Sequence, residues 1–144
     1  MALHSAARQR PFTWLTLPPR PSNSLWPIRR SGEVLSGWPI RDAVRGAAIV
    51  GEDGLVIHDA LEPGTDTEAV AALAVATRRH AEQFGSAGAC GPLRTAVFEF
   101  GEGPAIFAAL PAGATLVVLA APDRDLGLLL YELRTRRDSL ASLL

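Results

Sequence analysis

Lysine is absent from this 144-residue sequence, in which all 14 basic side chains are arginine. Gly-rich phosphate loops depend on a Lys, so the Gly-Glu-Gly segment at 101–103 is predicted to be a turn and not a nucleotide cradle. The single cysteine, Cys90, excludes an internal disulfide and any zinc site with two or more cysteines. No two of the histidines, His4, His58 and His80, have the spacing of metal ligands. We therefore predict no metal, no cofactor and no catalytic residue.

Long hydrophobic runs are also missing. No stretch reaches the roughly 18 consecutive apolar residues of a transmembrane helix, and the N-terminus lacks the continuous apolar segment of about 7–15 residues that marks a secretory signal. The net charge of −1 argues against a polybasic nucleic-acid-binding protein. The length suits one domain. We expect a cytoplasmic protein that neither inserts into a membrane nor binds nucleic acid.

The composition changes near residue 45. Residues 1–45 contain seven Arg, two acidic residues, six of the 11 prolines and all three Trp, whereas 46–144 contain seven Arg and 13 acidic residues. Because prolines interrupt any long helix, we predict a disordered or extended N-terminal extension over 1–30 and a folded domain over 31–144. Three interpretations of the extension stay open: a partner-binding arm that uses Trp and Arg side chains, an organellar presequence, or a segment without function.

Two short strands and a long helix are predicted in the first half of the domain. The apolar runs 46–50 and 55–58 flank an Asp-Gly turn, which is the pattern of a tight hairpin. Thr65 and Glu68 have the spacing of a capping box with Thr65 as N-cap, so a helix is predicted from there to about Phe84. Its predicted buried face consists of residues at three- and four-residue steps: Val70, Leu73, Ala74, Thr77, Ala81 and Phe84.

Three more strands are predicted in the second half, at 93–100, 105–110 and 115–121, with separators short enough for hairpins. The last of these is continuously apolar, so we predict that it is central in its sheet. A final helix follows Pro122, and a weak first helix is predicted over 31–44. The predicted fold is α+β, an antiparallel five-stranded sheet sandwiched by helices in the order (α)-β-β-α-β-β-β-α.

Over about residues 45–144 the sequence resembles the roadblock / dynein light-chain family. The resemblance lies in the first hairpin, GAAIVGEDGLVI at 46–57, in the Ala-rich helix, and in the strand-to-helix junction, LVVLAAPDRDLGL at 116–128. It implies a roadblock-like domain of order α-β-β-α-β-β-β-α, a dimer that shares a sheet, and a role as partner or regulator of small GTPases. The chain departs from the family in its first helix, which Gly32, Gly37 and Pro39 interrupt.

Two surfaces are candidates for interaction. An unpaired strand that carries Val97 and Phe98 is an aggregation risk, so we predict that a second copy pairs along it. Small alanine side chains allow close approach of a second helix, although they also simply favour helix formation. The predicted homodimer interface comprises Leu93, Thr95, Val97, Phe98, Ala72 and Ala76. The predicted GTPase-binding residues on the exposed helix face are Arg78, Arg79 and Gln83. The alternative interpretation is that these residues form an ordinary solvated helix face.

The remaining reactive side chains have structural explanations. His58 and Asp59 are neighbours on a strand and therefore point to opposite faces, and Cys90 lies in a loop with no placed base. The sequence thus predicts a non-enzymatic dimeric regulatory domain that binds a small Ras-like GTPase and modulates its GTP hydrolysis, with or without an inserted arginine. The alternatives are a structural adaptor of a larger complex, with no nucleotide-switch role, and a small-ligand sensor.

Overall fold

The computed structural model describes residues 43–123, 125–142 and 144. The predicted extension over 1–30 lies outside the described residues, as does the predicted first helix up to residue 42. Val44, which the sequence assigned to the end of that helix, is instead the first residue of a strand. It pairs with Ala120 in the sheet and is buried, so tertiary pairing decides its conformation.

The described residues include five strands, three α-helices and a 3-10 turn. The strands are β1 (Val44–Val50), β2 (Val56–Ala60), β3 (Thr95–Phe100), β4 (Gly103–Ala109) and β5 (Thr115–Ala120). The helices are α1 (Thr67–Ala87), α2 (Leu126–Thr135) and α3 (Arg137–Ala141), and the 3-10 turn covers Pro111–Gly113. From β1 onward the order agrees with the predicted one, except that the final helix is divided at Arg136.

The five strands form one antiparallel sheet in the order β2-β1-β5-β4-β3. The apolar strand β5 is central, as predicted, and pairs with β1 and β4. Strands β2 and β3 are the two edges of this sheet, so α1, which connects them, crosses one face from edge to edge. The prediction of an α+β fold with an antiparallel five-stranded sheet is confirmed.

The first hairpin is closed by the predicted turn. The N–H of Gly51 donates to the carbonyl of Leu55 at 2.8 Å, and the N–H of Gly54 donates to the carbonyl of Gly51 at 3.0 Å. Gly54 has φ of 84°, a conformation that glycine adopts without steric cost. The turn fixes the register in which Ile49 lies opposite His58.

The bounds of α1 differ from the capping-box prediction. The N-cap is Asp66 and not Thr65, because the Asp66 carboxylate accepts the N–H of Ala69 at 3.0 Å. The helix also continues through Gly85 and ends at Ala87. One glycine lowers helix stability by about 1 kcal/mol, which is too little to end a 21-residue helix that packs on a sheet.

Helices cover both faces of the sheet. On one face α1 packs over β1, β2, β5 and β4, through a small cluster whose buried members are Val50, Ala71, Ala74 and Val117. On the other face α2 and α3 contribute Leu129, Leu133 and Leu140 to the larger cluster. The largest fully buried side chains of that cluster include Ile49, Ile106 and Leu116. The core therefore divides into a large half under α2 and α3 and a small half under α1.

Candidate functional site

Arg78 lies near the middle of α1, and its side chain folds onto the sheet. Its Nη1 donates to the backbone carbonyl of Ala114 and, at 3.2 Å, to Oγ1 of Thr115. Its Nε donates to Oε1 of Glu82 at 3.1 Å. The sequence placed Arg78 on the exposed face of the helix, but its side chain is only 15% exposed. The physical reason is that the long arginine side chain reaches two buried acceptors, the hydroxyl of Thr115 at the start of β5 and the carbonyl of the preceding Ala114, which also accepts the N–H of Leu110 at 2.8 Å.

A shallow cleft of about 80 Å³ lies beside this arginine. It is lined by Glu52, Val75, Arg78, Arg79, Glu82, Gly113 and Thr115. A Cβ on Gly113 would approach the Glu52 side chain to 2.9 Å, so only a glycine lets the β1–β2 turn close over this end of the sheet. Small-molecule sites usually enclose roughly 300–1,000 Å³. This cleft is therefore too small to hold a nucleotide.

Arg79 and Gln83 are both exposed and lie one helical turn apart on α1. Arg79 also forms part of the rim of the cleft. Of the three residues predicted to bind a GTPase, the structure thus brings Arg79 and Gln83 together on one solvent-facing surface and holds Arg78 beneath it.

A second exposed surface of α1 is apolar. Leu73 is 65% exposed and Phe84 is 79% exposed, although the sequence assigned both to the buried face. With Ala76 and His80, which are also exposed, they recur at three- and four-residue steps; we call these four residues the outer stripe. Ala72, predicted with Ala76 to lie in a dimer interface, is exposed beside it.

The same three- and four-residue periodicity describes two faces of α1, and this is why the sequence misassigned Leu73 and Phe84. The residues that the sheet buries are the small Ala71 and Ala74. Hydrophobicity alone favours the larger side chains for the core. The sequence did contain a signal of a second apolar face: α1 has more large apolar residues, such as Leu73 and Phe84, than are needed to cover the sheet.

Strand β3 presents a related apolar surface on the side of the sheet that α1 occupies. The ring of Phe98 contacts that of Phe107 edge to face, with centroids 5.5 Å apart, and Phe107 packs against the cluster under α1. Phe100 stacks 6.5 Å from Phe98 and is 64% exposed. The aromatic row therefore continues from the underside of α1 to the edge of the sheet. Val97 packs against the cluster on the opposite face.

The backbone of β3 leaves one row of groups directed away from β4. In this antiparallel pair Ala109 donates to the carbonyl of Arg94 at 2.9 Å, while Pro104, opposite Glu99, has no N–H to donate. Hydrogen-bonded and non-hydrogen-bonded pairs alternate in such a ladder. The N–H groups of Thr95, Val97 and Glu99 therefore point to the open edge. Leu93, also predicted in the interface, precedes the strand and is half-buried.

Two further reactive side chains among the described residues, Asp59 and Cys90, have local contacts. Asp59 accepts the N–H of Leu61 at 2.8 Å and the hydroxyl of Thr67 at 3.0 Å, so its carboxylate serves the β2–α1 connection. Cys90 is exposed after α1, with Sγ 3.5 Å from the carbonyl oxygen of Gly88. Among the described residues, no group of three or more His, Cys, Asp or Glu side chains is placed to hold a metal. No helix of the described part of the chain has the length and apolarity to cross a bilayer.

Comparisons with solved structures identify the fold. The chain matches a Roadblock/LC7 domain from Streptomyces avermitilis with a TM-score of 0.62 and 26% sequence identity, over 69% of this chain and 84% of that one. It matches Myxococcus xanthus MglB with a TM-score of 0.65 and 17% identity, over 69% and 82% of the two chains. The gliding protein MglB of Thermus thermophilus matches with a TM-score of 0.67 and 16% identity, over 79% and 87%. No protein-family model and no curated protein matches the sequence.

Proposed function

We propose that this chain, a roadblock-type domain, is a dimeric regulatory subunit that binds a small Ras-like GTPase and modulates its GTP hydrolysis. The observation that carries the proposal is the division of α1 into three surfaces within a roadblock fold. One face is buried on the sheet, the outer stripe is apolar and exposed, and Arg79 and Gln83 form a polar exposed surface. A helix that only covered a sheet would have a buried face and a polar exposed face, and it would not need the exposed apolar stripe.

A second copy is the occupant that suits the apolar surfaces. The open edge of β3 offers N–H groups that no strand of the described residues pairs with, and an antiparallel pair of two identical strands would satisfy both edges by two-fold symmetry. Because β3 lies beyond the part of the sheet that α1 covers, Phe98 and Phe100 are left exposed. A partner helix over these aromatics would lie beside α1 and meet the outer stripe. The two contacts therefore support one isologous interface.

The polar surface of α1 suits a protein partner with acidic groups. Arg79 is exposed, and its planar guanidinium can pair with a carboxylate in two parallel hydrogen bonds. In the proposed dimer the surface is present twice, on neighbouring helices. Arg78 lies beneath this surface, where it contacts Ala114 and Glu82. Arg79 and Gln83 are the residues that would contact the partner.

Binding to Ras-like GTPases from the same source, loaded with GDP or with a non-hydrolysable GTP analogue, tests this proposal. We expect the GTP-analogue form to bind more tightly, and Arg79→Glu combined with Gln83→Glu to weaken it about tenfold or more, since a few residues dominate interface energies. Arg134→Glu, on the exposed side of α2, is the matched control and should bind normally. Equal binding of both nucleotide forms would favour an adaptor, and binding to no GTPase would contradict the proposal.

A further inference from the structure

Glu52 is an exposed carboxylate that the structure holds in a fixed place. It lies in the β1–β2 turn, which the N–H of Gly51 closes by donating to the carbonyl of Leu55 at 2.8 Å. Its Cβ, Cδ and Oε2 atoms all lie 2.9 Å from the point where a Cβ on Gly113 would stand, so the side chain packs along this glycine. Because the carboxylate is already ordered, a partner that binds it loses less conformational entropy.

Glu52 and Arg79 line the same cleft from two different elements, the β1–β2 turn and α1. Both residues are exposed. Neither side chain takes part in a hydrogen bond or an ion pair with another described residue, and the two do not pair with each other. The cleft therefore presents one negative and one positive charge, side by side and both available to a partner.

The other two charged residues of the cleft compensate each other. Nε of Arg78 donates to Oε1 of Glu82 at 3.1 Å, and Nη1 of the same arginine is bound by Ala114 and Thr115. The floor of the cleft is therefore polar without a net charge. One water needs roughly 10–15 Å³, so the 80 Å³ of the cleft admits about five waters, or the charged end of one side chain.

We propose that Glu52 is a specificity-determining residue of the GTPase-docking surface, and that the partner presents a basic side chain to Glu52 in the cleft and an acidic one to Arg79. The inference rests on the proposed function and extends the docking surface from α1 to the β1–β2 turn. A partner with the two charges in this order gains an attraction at both positions. A partner with the opposite order meets like charges at both, which selects against it.

Titration calorimetry of the full chain with the GTP-analogue-loaded GTPase that it binds tests the inference. Glu52→Gln keeps the shape of the side chain and removes its charge, and it should raise the dissociation constant about fivefold or more. Glu52→Arg combined with Arg79→Glu has the net charge of the wild type and should bind more weakly than either single variant. Glu102→Arg, exposed in the β3–β4 turn and outside the cleft, is the matched control and should bind normally. Thermal melts establish that each variant is folded.

The outcomes separate this inference from the proposed function. Wild-type affinity in Glu52→Gln, together with weak binding when Arg79 and Gln83 are replaced, would overturn the role of Glu52 and leave the function intact. Wild-type affinity in the exchanged Glu52 and Arg79 variant, or an equal loss in Glu102→Arg, would show that net charge decides binding, and would overturn the inference as well. A wild-type chain that binds no GTPase would contradict the proposed function itself, and this inference with it.

Discussion

The guanidinium of Arg78 and the hydroxyl of Thr115 join the middle of α1 to the first residue of the central strand, with 3.2 Å between Nη1 and Oγ1. Thr115 is 1% exposed and is the one buried polar side chain among the described residues. The contact explains how a helix that packs mainly through alanines is fixed in position on the sheet. It also covers most of an arginine side chain that the sequence alone places outside.

Replacement of Arg78 should destabilise the fold. Arg78→Met leaves the buried Thr115 hydroxyl without this donor, which costs about 1–3 kcal/mol, whereas the Ala114 carbonyl still accepts the N–H of Leu110 at 2.8 Å. Arg79→Met is the matched control. Because Arg79 is exposed, this substitution should change the free energy of unfolding by no more than about 0.5 kcal/mol. Urea unfolding of both variants measures the difference. Equal stability of the two variants would show that these Arg78 contacts contribute nothing.

Val97→Pro should weaken the proposed dimer while the subunit stays folded. The N–H of Val97 points to the open edge, so proline removes a donor for the second copy and none from the β3–β4 ladder. Two such bonds are lost per dimer, about 1–3 kcal/mol in all, or roughly 5- to 150-fold in dissociation constant. Val97→Ala controls for the lost side chain. An unchanged dissociation constant in Val97→Pro would place the interface elsewhere.

The N-cap of α1 can be assigned by two adjacent substitutions. Asp66→Ala removes the acceptor for the N–H of Ala69 and should lower the free energy of unfolding by about 1 kcal/mol. Thr65→Ala changes the residue that the capping-box pattern favours and should have the smaller effect. Thermal melts of the two variants decide between them, and a larger loss in Thr65→Ala would contradict the assignment.

Residues 1–30 should be dispensable for folding. They have no periodic apolar face to bury, and ordering them would cost about 1–2 kcal/mol per residue in backbone entropy. A chain that begins at Ser31 should therefore melt within a few degrees of the full chain. Loss of the cooperative transition on truncation would show that Trp14 and Trp26 belong to the core.

The sheet and its order could be predicted from the sequence because local patterns specify them. The Asp53-Gly54 turn favours one hairpin geometry, and the unbroken apolar run at 115–120 is stable only where both faces of a strand are covered. Short connections between successive strands favour antiparallel pairing of those strands, because a parallel pair needs a longer crossover connection. Each of these features can be recognised from a few consecutive residues.

The surfaces of α1 were decided by the tertiary structure. Three- and four-residue steps show that Leu73 and Ala74 both belong to apolar rows, but the sequence does not state which row meets the sheet. The close approach of the helix to Val50 and Val117 selects the small side chains, and Leu73 and Phe84 are left outside. Arg78 is largely covered for the same kind of reason, since its acceptors lie 36 and 37 residues away in the sequence, at Ala114 and Thr115. Periodicity fixes which residues share a side of a helix, and only packing against distant strands fixes which side is covered.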